Sequence, residues 1–252
     1  MDHVLSMNKM PNICTPLTGK TKQEILDQLE TIIPQSPDLI EWRADFFSEL
    51  SNKEMTLALI QELKQKTDIP LLFTIRAEHE GGEKITLNEE EKVSLICDVC
   101  EKTYVDMVDY ETSNDEKYVK QIRQVSKQND KLLILSYHNF TETPENDEII
   151  ERAQRAESYD ADIAKFAVMP NSKEDVLRLL HVTKEIDQIL DIPVVTMSMG
   201  DIGGLSRIIG WAYGSIITFG VGVELSAPGQ IPVRQLRKAI ELTQELIPSW
   251  HS

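Results

Sequence analysis

The stretch ADIAKFAVMP, residues 161–170, combines the pattern of a buried strand with one charged side chain. Side chains alternate between the two faces of a strand, so Ala164, Phe166 and Val168 share one face and Lys165 lies on the other. None of its sequence neighbours offers Lys165 a countercharge. Burial alone can lower a lysine pKa by roughly 3 to 5 units, so a lysine at this position requires an explanation.

Short apolar runs of this kind alternate with amphipathic stretches along the whole chain. The predicted strands are 13–17, 39–45, 71–76, 104–110, 132–138, 163–169, 194–199 and 216–221. The predicted helices are 22–33, 53–66, 89–102, 116–127, 145–157, 173–190, 205–213 and 233–247, with Ser172 capping the sixth. Repeated strand-then-helix units indicate parallel pairing.

An open doubly wound sheet and a closed barrel both fit this alternation, but eight units in 252 residues is the usual size of the barrel. The polar residues of four strands favour the barrel as well. They share one phase, with the charged members toward the C-terminal ends: Glu41 and Arg43, Thr74 and Arg76, Ser136 and His138, and Lys165. In a barrel this phase points inward and its charges meet at one mouth, whereas an open sheet spreads them along an edge. We therefore predict a single-domain α/β fold, a (β/α)8 TIM barrel of parallel strands over residues 1–252.

The composition limits the partners and the compartment. A net charge of −16 and a pI near 4.7 argue against nucleic acid or an anionic membrane as a partner. The longest uncharged stretch, 208–223, contains four glycines and is shorter than the ~20 residues that span a bilayer. The N-terminus lacks a signal-peptide pattern, and three cysteines do not form a secreted disulfide framework. We expect a cytoplasmic protein.

Lys165 has two interpretations. A lysine in an apolar, inward-facing position is easily deprotonated, and a neutral amine can attack a carbonyl to form an imine. Alternatively, the lysine pairs with a buried carboxylate or extends to the rim. His138 favours the first interpretation, because it ends the adjacent strand in the same phase and could act as the base beside such an imine.

Other charged residues and two loops could complete a site. Arg43, Arg76 and Arg207 could bind carboxylates or phosphates, or could pair with acids such as Glu41 or Asp45. The segment RAEHEGGEK, residues 76–84, could return a carboxylate to the mouth, and SAPGQIP, residues 226–232, could form a lid. Cys97 and Cys100 lie mid-helix without a second pair, so core packing is favoured over zinc binding or redox work.

Several of these motifs recur together in one known family. EWRAD (41–45), RAEHEGG (76–82), SYHNF (136–140), AKFAVMP (164–170), TMSM followed by SR (196–199 and 206–207) and SAPGQ (226–230) together resemble type I 3-dehydroquinate dehydratase. This is the Schiff-base lyase of the shikimate pathway, which leads to chorismate and the aromatic amino acids. The motifs extend from residue 41 to residue 230, in order.

The resemblance implies a (β/α)8 barrel, a homodimer, 3-dehydroquinate as substrate, and no metal or organic cofactor. It also implies a catalytic set of Lys165 as the imine-forming residue, His138 as general acid and base, and Glu80 as the carboxylate paired with that histidine. The implied substrate-binding residues are Glu41, Arg43, Arg76, Arg207, Ser226 and Gln230.

The chain departs from the family pattern in two places. Only twelve residues precede Ile13, so we expect the N-terminal hairpin of the family to be short or absent. Asp201 stands where a lysine is common, which changes the charge at that edge of the mouth. Two other functions remain possible at this point: a class I aldolase on the same fold, and a non-catalytic barrel that binds an anion or a protein.

Overall fold

Parallel strands alternate with helices through the computed structural model, which describes residues 4–5, 11–224 and 226–247. The strands of the barrel are β1 Asn12–Leu17, β2 Leu39–Arg43, β3 Leu71–Thr74, β4 Met107–Glu111, β5 Leu132–Asn139, β6 Ile163–Val168, β7 Val194–Ser198 and β8 Ile217–Val221. The α-helices that follow them are α1 Lys22–Ile32, α2 Lys53–Lys66, α3 Glu89–Lys102, α4 Glu116–Gln128, α5 Asn146–Ser158, α6 Lys173–Ile189, α7 Gly200–Ile209 and α8 Val233–Leu246.

The sheet closes into the predicted barrel. Neighbouring strands pair in parallel in the order β7-β6-β5-β4-β3-β2-β1-β8, and a parallel bridge between Val194 and Ser215 joins the two ends. A short strand that was not predicted, β9 (Ile231–Pro232), pairs with β8 directly before α8. Because all strands run the same way, their C-terminal ends form a single rim.

The two phases of the strands face the two sides that the sequence predicts. Trp42, Phe73, Tyr110 and Phe166 are buried between the strands and the surrounding helices. The opposite phase points into the barrel, where its N-terminal half forms an apolar floor of Leu5, Cys14, Leu39, Leu72, Met107, Ile134 and Ile163. The charged side chains of this phase lie in the C-terminal half.

Aspartates at the N-terminal end of the barrel tie neighbouring strands together in pairs. Asp38, Asp106 and Asp162 directly precede β2, β4 and β6, and each accepts a hydrogen bond from an amide of the preceding strand, at 2.9, 2.8 and 2.7 Å. Each also binds a cation from a helix: Arg237, Lys64 and Arg123. This repeated contact fixes strand register at the end of the barrel that carries no site residue.

The seventh helix differs most from the prediction. It begins at Gly200 rather than at residue 205, and a 3-10 turn from Gly210 to Tyr213 follows it. Glycine allows this early start, because a Cβ atom at Gly203 would lie 2.5 Å from the backbone of Ser198. The helix therefore starts against the end of β7 and brings Arg207 to the barrel. Ser172 caps α6 as predicted, in a reciprocal capping box with Asp175.

The N-terminal segment is described only at Val4 and Leu5. Leu5 is fully buried in the apolar floor of the barrel. The prediction of a short or absent hairpin falls largely on residues 1–3 and 6–10, which lie outside the described residues. No helix in the described part of the chain is long and apolar enough to cross a membrane.

Candidate active site

A cavity at the C-terminal rim collects every residue that the sequence singled out as a site residue. It encloses about 440 Å³, the open mouth included. Its predicted lining residues are Glu41, Arg43, Arg76, Glu80, His138, Lys165, Arg207, Ser226 and Gln230. Further lining residues are Gly81, Phe140, Ala167, Met197, Met199, Phe219 and Ala227. Asp201, the departure noted above, is exposed and lies outside this lining.

Lys165 lies inside the barrel, but its surroundings are not apolar. Its Nζ donates a hydrogen bond to Asp109 Oδ2 at 3.0 Å and lies 3.6 Å from Glu41 Oε1. The ring of Phe219 covers the nitrogen, with its centroid 4.6 Å away. The sequence neighbours of Lys165 offer no countercharge, but strands distant in sequence supply two carboxylates, as the second interpretation of this lysine predicts. Even so, the lysine is buried and lines the cavity.

Arg76 lies at the centre of a buried ion-pair network. Its Nη2 contacts Asp109 at 2.6 Å, and its Nη1 contacts Glu111 at 3.0 Å and Ser136 Oγ at 2.7 Å. Lys92 of α3 binds the other oxygen of Glu111 at 2.8 Å. Although burial acts in the opposite direction, these carboxylates raise the pKa of Arg76 above its ordinary value. Arg76 is thus held mainly by protein acids, one of the alternatives considered for the arginines.

Asp109 and Glu111 were missed in the sequence, although a signal was present. In VDMVDYE, residues 105–111, Val108 and Tyr110 belong to the outer phase of β4, and Met107, Asp109 and Glu111 alternate with them. The same two-residue period identified polar positions in four other strands. Burial acts to raise the pKa of Asp109, but Arg76 and Lys165 outweigh it and hold that pKa below its usual range.

His138 and Glu80 form a pair beside the lysine. In the β5–β6 register, Ser136 lies opposite Lys165, so His138 lies two residues closer to the rim on the same face. Glu80 Oε2 lies 3.1 Å from His138 Nδ1 and also accepts the His138 amide at 2.9 Å. This geometry favours a proton on Nδ1 and leaves Nε2 as the basic nitrogen.

The two members of this pair are poised for proton transfer. Burial, reinforced by the positive charges of Arg76 and Lys165, lowers the pKa of His138 well below its ordinary value, so the ring is neutral near pH 7. Burial also raises the pKa of Glu80 to about 7, although Arg76 opposes this shift. A neutral imidazole with a fixed tautomer is suited to removing a proton from a bound molecule.

Arg43 and Arg207 differ in whether a carboxylate of the protein balances their charge. Arg43 makes a two-pronged contact with Asp45, at 2.9 and 2.8 Å, which leaves its Nη1 without a hydrogen-bond partner among the described residues. Arg207 has no described carboxylate partner. It contacts the carbonyl oxygens of Phe219 and Pro228 at 3.3 and 3.1 Å, and its buried Nε is unpaired. Burial lowers the pKa of Arg207 to about 10, but the group remains a cation at neutral pH.

The segment after β8 covers the cavity from the side of Arg207. Gln230 Oε1 accepts from the Ser226 amide at 2.9 Å, and Gln230 Nε2 donates to Ser226 Oγ at 3.0 Å. Between them, the Pro228 carbonyl accepts the Gly200 amide at 3.1 Å. The segment Ser226–Gln230, called the lid below, is thus pinned to the start of α7, and both predicted lid residues face the cavity.

The described residues contain no group of three or more histidines, cysteines or acidic residues arranged to hold a metal ion. A closed barrel with a buried lysine and a histidine–carboxylate pair at its C-terminal rim is typical of (β/α)8-barrel enzymes.

Comparisons with known proteins narrow this class. The family model for type I 3-dehydroquinase matches residues 13–247. A 3-dehydroquinate dehydratase from Albidiferax ferrireducens is 44% identical over 238 residues, which cover 94% of this chain and 90% of that protein. The crystal structure of the enzyme from Geobacillus kaustophilus superposes with a TM-score of 0.92 at 42% identity, covering 93% of this chain and 91% of that one. The chain belongs to the type I 3-dehydroquinase family.

A further relative bears on the chemistry of the site. The type I 3-dehydroquinate dehydratase from Clostridium difficile was solved with covalently modified comenic acid. It superposes with a TM-score of 0.91 at 36% identity and covers 94% of each chain.

Proposed function

We propose that the cavity dehydrates 3-dehydroquinate to 3-dehydroshikimate and water, the reaction of its family, through a covalent imine at Lys165. The observation that carries this proposal is the position of the Lys165 amine, buried at the cavity with the His138–Glu80 pair on the same face of the neighbouring strand. The covalently modified small molecule in the relative from Clostridium difficile agrees with covalent chemistry in the family. Membership in this family decides against the aldolase and the non-catalytic barrel.

Substrate binding begins with the carboxylate of dehydroquinate. Arg207 is the natural partner, because it is buried at the cavity and unmatched by any described carboxylate. Of the remaining predicted binding residues, Arg43 offers its open Nη1 to a substrate hydroxyl, and Glu41 offers Oε2, since only its Oε1 has a described partner. Arg76 is already held by three protein groups, so we assign it chiefly to ordering the site.

The chemistry then proceeds in balanced steps. The ammonium of Lys165 releases a proton to water, the neutral amine attacks the 3-keto carbon, and the carbinolamine takes a proton back as its hydroxyl leaves as water, which gives a protonated imine with no net change in charge. This iminium withdraws electrons and makes the adjacent C2 proton acidic. His138 Nε2 takes that proton, the C1 hydroxyl leaves as water with the imidazolium as acid, and hydrolysis of the imine releases 3-dehydroshikimate. General acid and base assistance contributes about 10²- to 10⁴-fold, so imine formation and positioning contribute the rest.

The lid completes the site by excluding water. Ser226 and Gln230 face the cavity, and Pro228 joins Arg207, so the lid and the carboxylate site form one surface. We assign Ser226 and Gln230 to hydrogen bonds with the bound acid. Expulsion of water from the closed site strengthens each charged contact within it.

The decisive experiment is reductive trapping. Wild-type protein treated with 3-dehydroquinate and borohydride should gain the mass of the reduced adduct on the peptide that contains Lys165. K165A should show neither adduct nor turnover, whereas H138A should keep the adduct and lose most turnover. An adduct at another lysine, or normal rates from either variant, would remove the residue concerned from the mechanism.

The resemblance extends the proposal to the state of the whole protein. We propose a single catalytic domain over residues 1–252 that works as a homodimer, without a metal or organic cofactor. Exposed apolar side chains on two neighbouring helices, Leu205 of α7 and Leu242 and Leu246 of α8, agree with an interface between copies. Light scattering during gel filtration tests the dimer, and activity in excess EDTA tests metal independence.

We also propose a cytoplasmic location. Cys14, Cys97 and Cys100 are buried free thiols, which suits a reducing compartment. Cell fractionation followed by an activity assay tests it.

A further inference from the structure

The two carboxylate oxygens of Asp109 bind different partners. Oδ1 accepts hydrogen bonds from Arg76 Nη2 and Ser136 Oγ, both at 2.6 Å. Oδ2 accepts from Lys165 Nζ at 3.0 Å. The carboxylate has no exposed surface, so water does not screen either contact. Through one rigid carboxylate, the Arg76 network is connected directly to the reactive nitrogen.

We propose that Asp109 is a positioning residue that pairs with the positively charged form of the reactive nitrogen, the ammonium before attack and the iminium after it, so that the imine stays protonated. This inference rests on the proposed imine mechanism. An imine is an effective electron sink only while its nitrogen is protonated. Because the ammonium and the iminium each carry one positive charge and an N–H at the same atom, one ionised acceptor at 3.0 Å serves both states.

Asp109 is better suited to this task than Glu41, the second carboxylate near Lys165. Glu41 Oε1 lies farther from Lys165 Nζ, at 3.6 Å, and it accepts a hydrogen bond from the Thr74 hydroxyl, which is an uncharged donor. Asp109 is fixed by a guanidinium, and Arg76 together with Lys165 holds its pKa below the usual range in spite of burial. Asp109 therefore remains an anion and does not take the proton of the lysine itself.

The surrounding charges support the same balance. Arg76 is paired with Glu111 as well as Asp109, and Glu111 is paired with Lys92 of α3. Each charge in this network therefore has a partner of opposite sign. The titratable groups that face Lys165 and Asp109 come from five strands or strand ends: Cys14, Glu41, Arg76, Glu111 and His138. Strands β7 and β8 contribute Met197 and Phe219, which do not titrate.

Two matched variants separate this role from a general effect on the network. D109N and E111Q each neutralise one buried carboxylate that binds Arg76, and only Asp109 contacts Lys165. With 3-dehydroquinate and borohydride, D109N should still form the adduct at Lys165. Its kcat should fall about 10²-fold, a typical loss for a buried electrostatic contact. The loss should deepen as pH rises above neutrality, because the imine then loses its proton, whereas E111Q should keep the wild-type pH profile.

Each outcome has a distinct meaning. If wild-type protein gives no adduct, the proposed function fails and the role of Asp109 fails with it. If wild-type gives the adduct but D109N and E111Q show the same pH profile, the imine mechanism stands and the role of Asp109 is overturned. Circular dichroism and thermal melting establish that both variants are folded.

A measurement on the wild-type protein covers the case in which D109N does not fold. With lysine labelled with ¹⁵N at Nζ, nitrogen resonances distinguish protonated from neutral imines in the protein equilibrated with 3-dehydroquinate. The iminium signal should persist to about pH 9, above the pH at which unassisted imines lose their proton. A neutral imine at pH 7 would overturn the inference.

Discussion

One oxygen of Glu80, Oε2, binds both the backbone and the ring of His138. It accepts a hydrogen bond from the His138 amide at 2.9 Å and lies 3.1 Å from the ring nitrogen Nδ1. The loop after β3 is thereby joined to the end of β5, although Glu80 and His138 lie 58 residues apart in sequence. Because the same oxygen meets the backbone and the ring, the imidazole plane is fixed relative to its own strand. The other oxygen, Oε1, accepts from Ser113 Oγ at 2.9 Å.

Glu80 is expected to control the pH dependence of proton removal by His138. Its pKa of about 7 means that it ionises as pH rises through neutrality, and an ionised partner makes the imidazole more basic. Wild-type kcat/KM should therefore rise between about pH 6 and pH 8. E80Q retains an oxygen for both donors but cannot ionise, so its profile should lose this rise. The difference between the kcat/KM profiles of E80Q and wild-type protein isolates the contribution of Glu80.

E80A provides the contrast, because it removes the oxygen as well as the charge. The ring is then free to rotate and to change tautomer, so kcat should fall about 10- to 100-fold at every pH, as for other residues that orient a reacting group. Equal kcat in E80A and wild-type protein would show that the orientation of His138 does not depend on Glu80.

Arg207 is expected to contribute to binding and not to stability. It is a cation buried without a described carboxylate, and an uncompensated buried charge opposes folding. R207M should therefore melt at the same temperature as wild-type protein or higher. Its KM for 3-dehydroquinate should rise about 10- to 100-fold, since hydrogen bonds between charged groups contribute about 1.5 to 3 kcal/mol. A large loss of stability with an unchanged KM would assign Arg207 to the fold instead.

Gly229 is expected to be required for the closed lid. It adopts φ +74°, and a Cβ atom at this position would lie 2.1 Å from the carbonyl oxygen of Gly200. G229A should therefore hold the lid away from α7 and raise KM several-fold, with a stability cost of about 1 kcal/mol from the unfavourable φ.

Gly204 offers a matched control on the helix that the lid contacts. A Cβ atom there has no neighbour within 4 Å, so G204A should leave KM unchanged and stabilise the helix by about 0.4 to 1 kcal/mol. Parallel increases of KM in G204A and G229A would indicate that any added methyl group near the lid disturbs binding.

The parts of the fold that could be predicted from sequence are those encoded locally. The two-residue alternation in β2, β3, β5 and β6 assigned an inner and an outer face to each strand, and the structure confirms both. Helix α2 and helix α3 have the predicted bounds, because each begins at a capping asparagine, Asn52 or Asn88. Closure of the sheet into a barrel was predicted from the number of strand–helix units and from the clustering of charged residues at the C-terminal ends of the strands.

The features that escaped prediction depend on contacts between distant segments. The pairing of Lys165 with Asp109 spans 56 residues and requires the registers of both β4 with β5 and β5 with β6. The early start of α7 at Gly200 depends on how closely Gly203 approaches β7, which no local propensity encodes. The alternation in this sequence therefore reveals candidate polar positions, Asp109 and Glu111 included, but it does not reveal which of them pair with one another.

The aspartates at the N-terminal end of the barrel give a prediction for stability alone. Asp106 accepts the Leu71 amide at 2.8 Å and pairs with Lys64 at 2.9 Å, and it lies at the opposite end of β4 from Glu111 and the cavity. D106N weakens both contacts without leaving a large hole, so it should lower the free energy of unfolding by about 1 kcal/mol, the usual worth of one hydrogen bond. Urea denaturation should show a lower midpoint at an unchanged slope, with KM and kcat retained below the transition. D162N, which weakens the equivalent contact with Leu133 at 2.7 Å, should behave in the same way. A fall in kcat in either variant, measured where the protein is fully folded, would mean that strand register at this end is transmitted to the catalytic end of the barrel.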